Sequence, residues 1–225
     1  MPDVISRTEP SSQMLSESLP DRSPDVRRHA VARAWQWALV LALAFAAVSA
    51  LVGVGVTDGM DEWMSRMGAL VGSYPLDVAA SVFNVLGSME VTSLVALILA
   101  AVWWRKYGMR GLVPLLLFAG VAAEVVFKHV LSHPGPPPEL SRSVTLLPPL
   151  LHSSSPYSFP SGHLLRVTFL AALMTEQWLF WTLTIVMAVT RVYLNEHWAS
   201  DVIGGLLLGA SLAGVAAWLL ARRTD

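Results

Sequence analysis

The sequence predicts an all-α membrane protein, a bundle of six transmembrane helices with an interfacial helix between the first and second spans. Hydrophobic residues make up 54% of the 225-residue chain and charged residues only 14%, against about 25% in a soluble domain. Ten of the 31 charged residues lie within residues 1–33, which leaves long uncharged stretches behind them. Several of these stretches approach the length of about 20 residues that an α-helix needs to cross a bilayer.

The same composition excludes several other classes of protein. So few charges rule out an ordinary soluble surface, and so many apolar residues rule out disorder over most of the chain. A net charge of −1 provides no basic field for nucleic acid. The chain has no cysteine, which excludes disulfides, thiol catalysis and cysteine metal sites.

The first half of the chain supplies a tail and two spans. Residues 1–33 are polar and rich in Pro, Ser, Asp and Arg, which predicts a disordered tail. Residues 34–56 contain no charge and form the first span. The polar segment 57–76 suits the membrane surface. The apolar stretch 78–104 is interrupted near Ser88, so its first part is predicted as the interfacial helix and its second part as the second span.

The second half supplies four more spans and a long loop. Eight prolines between residues 132 and 160 exclude a continuous helix there. The predicted spans are the third at 111–128, the fourth at 161–175, the fifth at 178–190 and continuing toward Leu194, and the sixth at 202–221. Residues 34–221 are therefore predicted as one membrane domain, followed by a short C-terminus at 222–225.

The distribution of basic residues orients the bundle. Cytoplasmic loops of membrane proteins are enriched in Lys and Arg. Six spans place both termini on one side, and that side collects eight basic residues: Arg27, Arg28, Arg33, Arg105, Lys106, Arg110, Arg222 and Arg223. The opposite loops hold only Arg66 and Arg142, and Arg142 is predicted to be a solvated loop residue. Both termini are therefore predicted to be cytoplasmic.

Polar residues at span ends on the outer side predict a functional site there. Charged residues within spans are costly and by default mark a site. His197 and Asp201 are four residues apart at a helix start, hence on one face. The carboxylate can hold one imidazole nitrogen and leave the other free to attack or to accept a proton.

A helix start and two cations complete this set. Ser161 and Gly162 follow a proline at the beginning of the fourth span, where unpaired N–H groups attract anions. His163 follows in the first turn. Lys128 and Arg191 add two positive charges. Two histidines, two cations, an acid and a helix N-terminus together are typical of a phosphate-ester site.

These residues resemble the motifs of the type-2 phosphatidic acid phosphatase family, integral membrane lipid phosphatases that share a fold with vanadium haloperoxidases. The family's second motif, Pro-Ser-Gly-His, is intact at residues 160–163. Its third motif is present with the correct spacing as Arg191, His197 and Asp201, with Thr190 in place of serine. The resemblance covers residues 34–221.

The family's first motif, Lys followed after six residues by Arg-Pro, is incomplete here. Counting from Lys128, the arginine position is occupied by Gly135. Arg166 lies three residues after His163 and, as one hypothesis, reaches the phosphate in place of the lost arginine. As the alternative, Arg166 is an ion-pair partner of Glu124, which can also orient Lys128.

The resemblance implies a mechanism without a metal or a cofactor. His197 attacks phosphorus and forms a phosphohistidine while Asp201 orients its ring. His163 protonates the departing lipid alkoxide and then activates water. The charge on the phosphoryl oxygens is held by Lys128, Arg191, the backbone around Ser161 and Gly162, and on the first hypothesis Arg166.

The resemblance further implies dephosphorylation of a membrane lipid at the outer face. Phosphatidic acid, phosphatidylglycerol phosphate and a polyprenyl diphosphate remain open as substrates. Two alternatives stay open as well: a phosphotransferase on the same scaffold, and a catalytically weak relative that binds or transports lipid. The bilayer is the expected partner, nucleic acid is not, and the oligomeric state is open.

The remaining polar and small residues are predicted to have structural roles. His129, His133 and His152 are expected to be structural hydrogen-bonding residues rather than catalysts. Gly205 and Gly209 form a small-residue face on the sixth span. That face is predicted to serve helix packing within the bundle rather than dimerisation.

Overall fold

The structure, a computed structural model, describes residues 24–146, 155–174 and 177–222. The described residues are mostly helical, and no β-strand occurs among them. The α-helices are α1 (Pro24–Gly53), α2 (Asp58–Leu70), α3 (Tyr74–Leu86), α4 (Met89–Tyr107), α5 (Leu116–Leu131), α6 (Gly162–Ala172), α7 (Gln177–Tyr193) and α8 (Ala199–Ala221). Two 3-10 helices occupy Gly108–Leu115 and Pro138–Leu140.

The N-terminal boundary differs from the prediction. Helix α1 begins at Pro24, so residues 24–33, which were assigned to the disordered tail, are helical. Proline is favoured at the first helical position because its missing N–H has no intrahelical partner there. The rest of the predicted tail, residues 1–23, lies outside the described residues.

Two helices, rather than the single interfacial helix predicted, connect α1 to α4. Helix α2 comes from the polar segment and α3 from the start of the apolar stretch. The predicted break near Ser88 is confirmed, because Ser88 is the N-cap of α4 and its Oγ accepts a hydrogen bond from the N–H of Val91 at 3.3 Å.

The chain reverses direction between α4 and α5. The start of α4 and the end of α5 both lie beside Arg166, which donates hydrogen bonds to the carbonyl of Gly87 and to Glu124. The reversal occurs in the 3-10 helix, where Pro114 interrupts α-helical bonding. A Cβ at Gly111 would lie 2.3 Å from the backbone of Trp103, so this close turn requires glycine. The predicted third span is consequently α-helical only from Leu116.

Within the described part of the chain, three stretches are long and apolar enough to cross a membrane: Ala32–Gly53, Met89–Leu131 and Ala199–Ala221. The second stretch has 43 residues, about 65 Å if it were one straight helix, which is about twice the thickness of a bilayer core. Its reversal divides that length into two helices. Large apolar side chains such as Leu43, Leu94 and Ile185 are exposed on the outer faces of these helices and of α7.

Helix α6 is the short central helix of the bundle. It has 11 residues and ends at Ala172, earlier than the predicted end at 175. A helix of that length is about 16 Å long. Leu164, Leu165 and Phe169 have no exposed surface, because α6 is enclosed by the helices around it.

Helix α8 packs closely along α6 through its glycines. A Cβ at Gly205 would lie 2.3 Å from the carbonyl oxygen of Ser161, and one at Gly209 would lie 2.5 Å from that of Leu165. This contact confirms the prediction that the two glycines serve packing within the bundle. The same packing aligns the first turns of α6 and α8.

The bundle has two distinct ends. At one end α5 and α7 finish while α6 and α8 begin, and Gly53 at the end of α1 lies close to Leu131 at the end of α5. At the other end Trp35 of α1 contacts Trp218 of α8, with ring centroids 5.5 Å apart. Helices α1, α4, α5, α6, α7 and α8 thus run alternately between the two ends.

Candidate active site

The sequence-predicted site residues come together at the first of these ends. Glu124 and Lys128 lie near the end of α5, His163 and Arg166 in α6, and Arg191 near the end of α7. His197 lies in the short loop before α8, and Asp201 in the first turn of α8. Residues distributed over 78 positions of the sequence therefore share one site.

The pair His197 and Asp201 has the geometry that its spacing predicts. The Nδ1–H group of His197 donates to Oδ2 of Asp201 at 3.3 Å. The same oxygen accepts the backbone N–H of Trp198 at 2.9 Å, which ties the loop to the first turn of α8. Asp201 has no exposed surface. This arrangement holds Nδ1 and leaves Nε2 of His197 available.

Burial and nearby cations favour the neutral imidazole of His197. Burial lowers the pKa of His197 well below its ordinary value, and the positive charges of Arg191 and Lys128 lower it further. A protonated imidazole has no lone pair for attack. The surroundings therefore favour the nucleophilic form of the ring.

His163 projects from the first turn of α6 on the same side. A Cβ at Gly87 would lie 2.7 Å from Cδ2 of the His163 ring, so the absence of a side chain at Gly87 makes room for the ring. The charges of Arg191 and Lys128, which act on His197, also act on His163. The two histidines thus share one electrostatic environment.

Arg191 is buried and held by partners from two directions. Its Nη1 donates to Oδ1 of Asn84 in α3, and its Nη2 lies 3.6 Å from Oε2 of Glu196. Its backbone carbonyl accepts the N–H groups of Glu196 and His197 at 3.2 and 3.4 Å. Asn84 lies in a stretch without motif residues, and nothing in the sequence marks it as a partner of Arg191.

Glu124 joins two cations in a buried network. Its Oε1 lies 2.9 Å from Nζ of Lys128, and its Oε2 accepts from Nη1 of Arg166 at 3.0 Å. A Cβ at Gly162 would lie 2.2 Å from Oε1 of Glu124. Glycine at this motif position therefore lets the carboxylate lie against the start of α6.

The structure favours the ion-pair interpretation of Arg166 over the phosphate-binding hypothesis. Nη1 of Arg166 is bound to Glu124, and its Nη2 donates to the carbonyl of Gly87 at 3.2 Å. The residue is only 5% exposed. Its two terminal nitrogens contact α5 and the connection between α3 and α4, which supports the ion-pair alternative.

The incomplete first motif lies beside the third. The carbonyl of Pro134 accepts the indole N–H of Trp198 at 2.8 Å. Nε2 of His133 lies 3.9 Å from Oδ1 of Asp201, and neither atom has a hydrogen-bond partner among the described residues. His133, predicted to have only a structural role, is therefore next to the proposed catalytic carboxylate. A Cβ at Gly135 would meet Ser158 at an ordinary 3.5 Å, so the backbone there leaves room for a Cβ.

The start of α6 differs in one detail from the predicted anion site. The backbone N–H of Ser161 donates to the carbonyl of Asp201 at 2.9 Å and is not free for an anion. The hydroxyl of Ser161 is fully buried and has no partner in the part of the chain that the structure describes. The N–H groups of Gly162 and His163, in the first turn, have no intrahelical partners. Donors at the start of α6 therefore include these two N–H groups and the hydroxyl of Ser161.

Arg142 is not the solvated residue that the sequence predicted. Its guanidinium lies 4.4 Å from the centre of the Tyr193 ring and donates to the carbonyl of Tyr193. Its Nε lies 3.7 Å from Oδ1 of Asp77 in α3. Arg142 thereby ties the long loop to the end of α7. Of the other histidines that were predicted to be structural, His129 in α5 bonds the carbonyl of Val125 at 2.8 Å, and His152 lies outside the described residues.

Comparisons with known proteins identify relatives of this chain. A family model described as the PAP2 superfamily matches residues 110–225. Phosphatidylglycerophosphatase B of Bacillus subtilis is 27% identical over 189 residues, which cover 76% of this chain and 89% of that protein. An undecaprenyl-diphosphatase of Sulfolobus acidocaldarius is 47% identical over 60 residues. A putative undecaprenyl-diphosphatase of Escherichia coli is 42% identical over 66 residues.

The last two alignments are partial. They cover 24% and 26% of this chain, and only 29% and 33% of those relatives. Among solved structures, the crystal structure of a transmembrane PAP2-type phosphatidylglycerolphosphate phosphatase from Bacillus subtilis matches with a TM-score of 0.65 and 23% identity. That match covers 80% of this chain and 93% of the other, and it shows a shared fold.

Proposed function

Because the chain belongs to the PAP2 superfamily, we propose that it is a membrane lipid phosphatase that hydrolyses a lipid phosphate or diphosphate monoester. The observation that carries the proposal is the convergence of His163 and the His197–Asp201 pair with Lys128 and Arg191 at one end of an apolar helical bundle. Two histidines in a positively charged environment suit phosphoryl transfer.

In the proposed reaction, His197 is the nucleophile. Its Nε2 attacks phosphorus, the bond from phosphorus to the oxygen of the leaving group breaks, and protonated His163 donates its proton to that oxygen. The leaving group is the lipid alcohol or, from a diphosphate, the lipid monophosphate. Asp201 accepts the Nδ1–H of His197 and stabilises the ring as it becomes positively charged. Water then attacks the phosphohistidine and gives its proton to His163, which restores both histidines and releases phosphate.

Lys128, Arg191 and the start of α6 are proposed to hold the phosphoryl oxygens. The donors at α6 are the N–H groups of Gly162 and His163, together with the hydroxyl of Ser161. Glu124 orients Lys128 through the 2.9 Å ion pair. We propose a metal-independent reaction, in which these fixed positive charges stabilise the transition state.

The substrate is proposed from the names of the relatives and the apolar surface of the bundle. Those names refer to phosphatidylglycerol phosphate and undecaprenyl diphosphate. Both carry a terminal phosphoryl group on a long apolar tail, as phosphatidic acid does. We propose a lipid of this class as the substrate.

We further propose a six-span topology with both termini in the cytoplasm and the site at the outer face. The alternating course of six helices between two ends supports the count, and the cluster of basic residues near Trp35 and Trp218 supports the orientation. Residues 34–221 form the proposed phosphatase domain, with cytoplasmic segments 1–33 and 222–225 at its ends. The enclosed position of α6 compensates for its short length.

The test is phosphate release by the purified protein from a panel of lipid phosphates, beside its His197→Ala variant. We expect release by the wild-type protein, none by the variant, and no effect of EDTA. Release that His197→Ala retains would contradict the proposed nucleophile, and inhibition by EDTA would contradict the metal-independent reaction.

The glycine at position 135 favours one second candidate, a weakly catalytic relative that binds or transports lipid. The loss of a guanidinium reduces the number of charge-assisted bonds to phosphate. Trapping a phosphorylated His197 from a labelled lipid phosphate distinguishes the two functions, because only the phosphatase forms that intermediate.

A further inference from the structure

Helix α2 contacts the loop that carries His197, although it contains none of the motif residues. Oδ1 of Asp61 accepts the backbone N–H of Ser200 at 2.8 Å, and Oδ2 of Asp61 accepts the hydroxyl of Ser200 at 2.6 Å. One helical turn later, the hydroxyl of Ser65 donates to Oδ1 of Asn195 at 2.6 Å. Asp61 and Ser65 therefore present one face of α2 to this loop.

These two contacts enclose His197 along the chain. Asn195 precedes it by two residues and Ser200 follows it by three. The loop 194–198 lies between α7 and α8, outside both helices. Within it, Asn195 has a positive φ of 53°, a conformation that helical hydrogen bonds do not maintain. The direct backbone bond of His197, to the carbonyl of Arg191, is long at 3.4 Å. Contacts from another helix are therefore important for holding the loop in place.

The contacts are buried and fully paired. Asp61 is 2% exposed and Ser200 is 1% exposed. A carboxylate that accepts two hydrogen bonds at the start of a helix is stabilised by its charge and by the helix dipole. Removing the carboxylate leaves the N–H and hydroxyl of Ser200 buried without these partners, a cost that a shift of the first turn of α8 relieves.

We propose that Asp61 is a positioning residue for the nucleophile. It fixes Ser200, and thereby the first turn of α8, so that Asp201 and the ring of His197 keep their relative orientation. Ser65 performs the same task on the other side of the loop through Asn195. This inference rests on the proposed function of the site and extends the functional residues to a helix outside the three motifs.

The test compares Asp61→Ala with Glu62→Ala. Glu62 is the adjacent residue and, among the described residues, pairs with the exposed Arg66, so it is a matched control. A misplacement of about 1 Å can reduce turnover by about 100-fold. We expect kcat to fall at least about tenfold in Asp61→Ala with KM within about twofold, and the control to match wild type.

The conservative variant Asp61→Asn keeps an acceptor for the N–H of Ser200 and is expected to recover part of kcat. If Asp61→Ala does not fold, Ser65→Ala provides the same comparison, with a smaller loss of kcat. Unchanged kcat in a folded Asp61→Ala protein, or an equal loss in Glu62→Ala, would overturn the proposal.

Hydrogen–deuterium exchange separates this proposal from the proposed function. We expect faster exchange of residues 194–204 in Asp61→Ala, with unchanged exchange in α6, whether or not any lipid phosphate is hydrolysed. If the wild-type protein releases no phosphate while Asp61→Ala shows this faster local exchange, only the phosphatase assignment is refuted. A protein that hydrolyses lipid phosphate with unaltered exchange and kcat in Asp61→Ala would refute the positioning role alone.

Discussion

Replacing Arg166 with methionine tests whether this residue is a structural ion pair or a phosphate ligand. Methionine has a similar length and keeps the apolar part of the side chain. The change removes the 3.0 Å bond to Glu124 and the 3.2 Å bond to the carbonyl of Gly87. Glu124 keeps Lys128 as its remaining cation at 2.9 Å.

The magnitude follows from the burial of the pair. Removing one member of a buried ion pair costs about 3–5 kcal/mol, because the other charge is left without compensation. The remaining contact of Glu124 with Lys128 favours the lower end of that range, and the unpaired carbonyl of Gly87 adds about 1–3 kcal/mol. A chain of this size loses about 2–4 °C of Tm per kcal/mol. We therefore expect Tm to fall by about 10 °C.

The assay is thermal unfolding in detergent together with lipid phosphatase kinetics. Arg66→Met is the control, because the side chain of Arg66 is 74% exposed and such surface pairs contribute little. We expect Arg166→Met to lower Tm strongly and to change KM by less than about threefold. A Tm within about 2 °C of wild type combined with a tenfold rise in KM would refute the ion-pair interpretation and restore Arg166 as a phosphate ligand.

Three further predictions test the site and the packing. Gly135→Arg places a guanidinium beside the third motif and is expected to lower KM about tenfold through a charge-assisted bond; an unchanged KM would show that the position does not reach phosphate. The acid limb of kcat/KM is expected below pH 6.5, the ordinary pKa of histidine, because His197 stays neutral until the pH falls through its lowered pKa. A midpoint above pH 6.5 would argue against a neutral nucleophile. Gly205→Ala is expected to cost about 1–3 kcal/mol through overpacking against Ser161, measured as a lower Tm, whereas Gly59→Ala, which meets nothing within 4 Å, is the tolerated control.

Local sequence spacing was sufficient to predict the central part of the site. His197 and Asp201 lie four residues apart at a helix start, and this short spacing predicted their contact, although His197 lies just before the N-cap of α8. The break at Ser88 was also predictable, because an N-cap acts on the residues immediately after it. For the same reason Gly205 and Gly209, four residues apart, were correctly assigned to one packing face.

The partners of the remaining polar residues were not predictable from spacing. Arg166 and Glu124 are 42 residues apart in sequence, and their ion pair was only one of two alternatives. Ser65 and Asn195 are 130 apart, and Asp61 and Ser200 are 139 apart; neither pair was predicted. Chain spacing over such distances does not specify which side chains meet. The assignment of Arg142 to solvent was wrong for this reason, since its partners Asp77 and Tyr193 come from two other helices.

The sequence by itself determined the apolar helices, the order of the motifs and the residues capable of phosphate chemistry, because hydropathy and helical periodicity act within a few turns. Only the tertiary structure decided that Arg166 pairs with Glu124, that the N–H of Ser161 donates to the carbonyl of Asp201, and that α2 contacts both sides of the His197 loop. Those outcomes depend on how helices pack in three dimensions. Packing brings together donors and acceptors that each helix alone leaves unpaired.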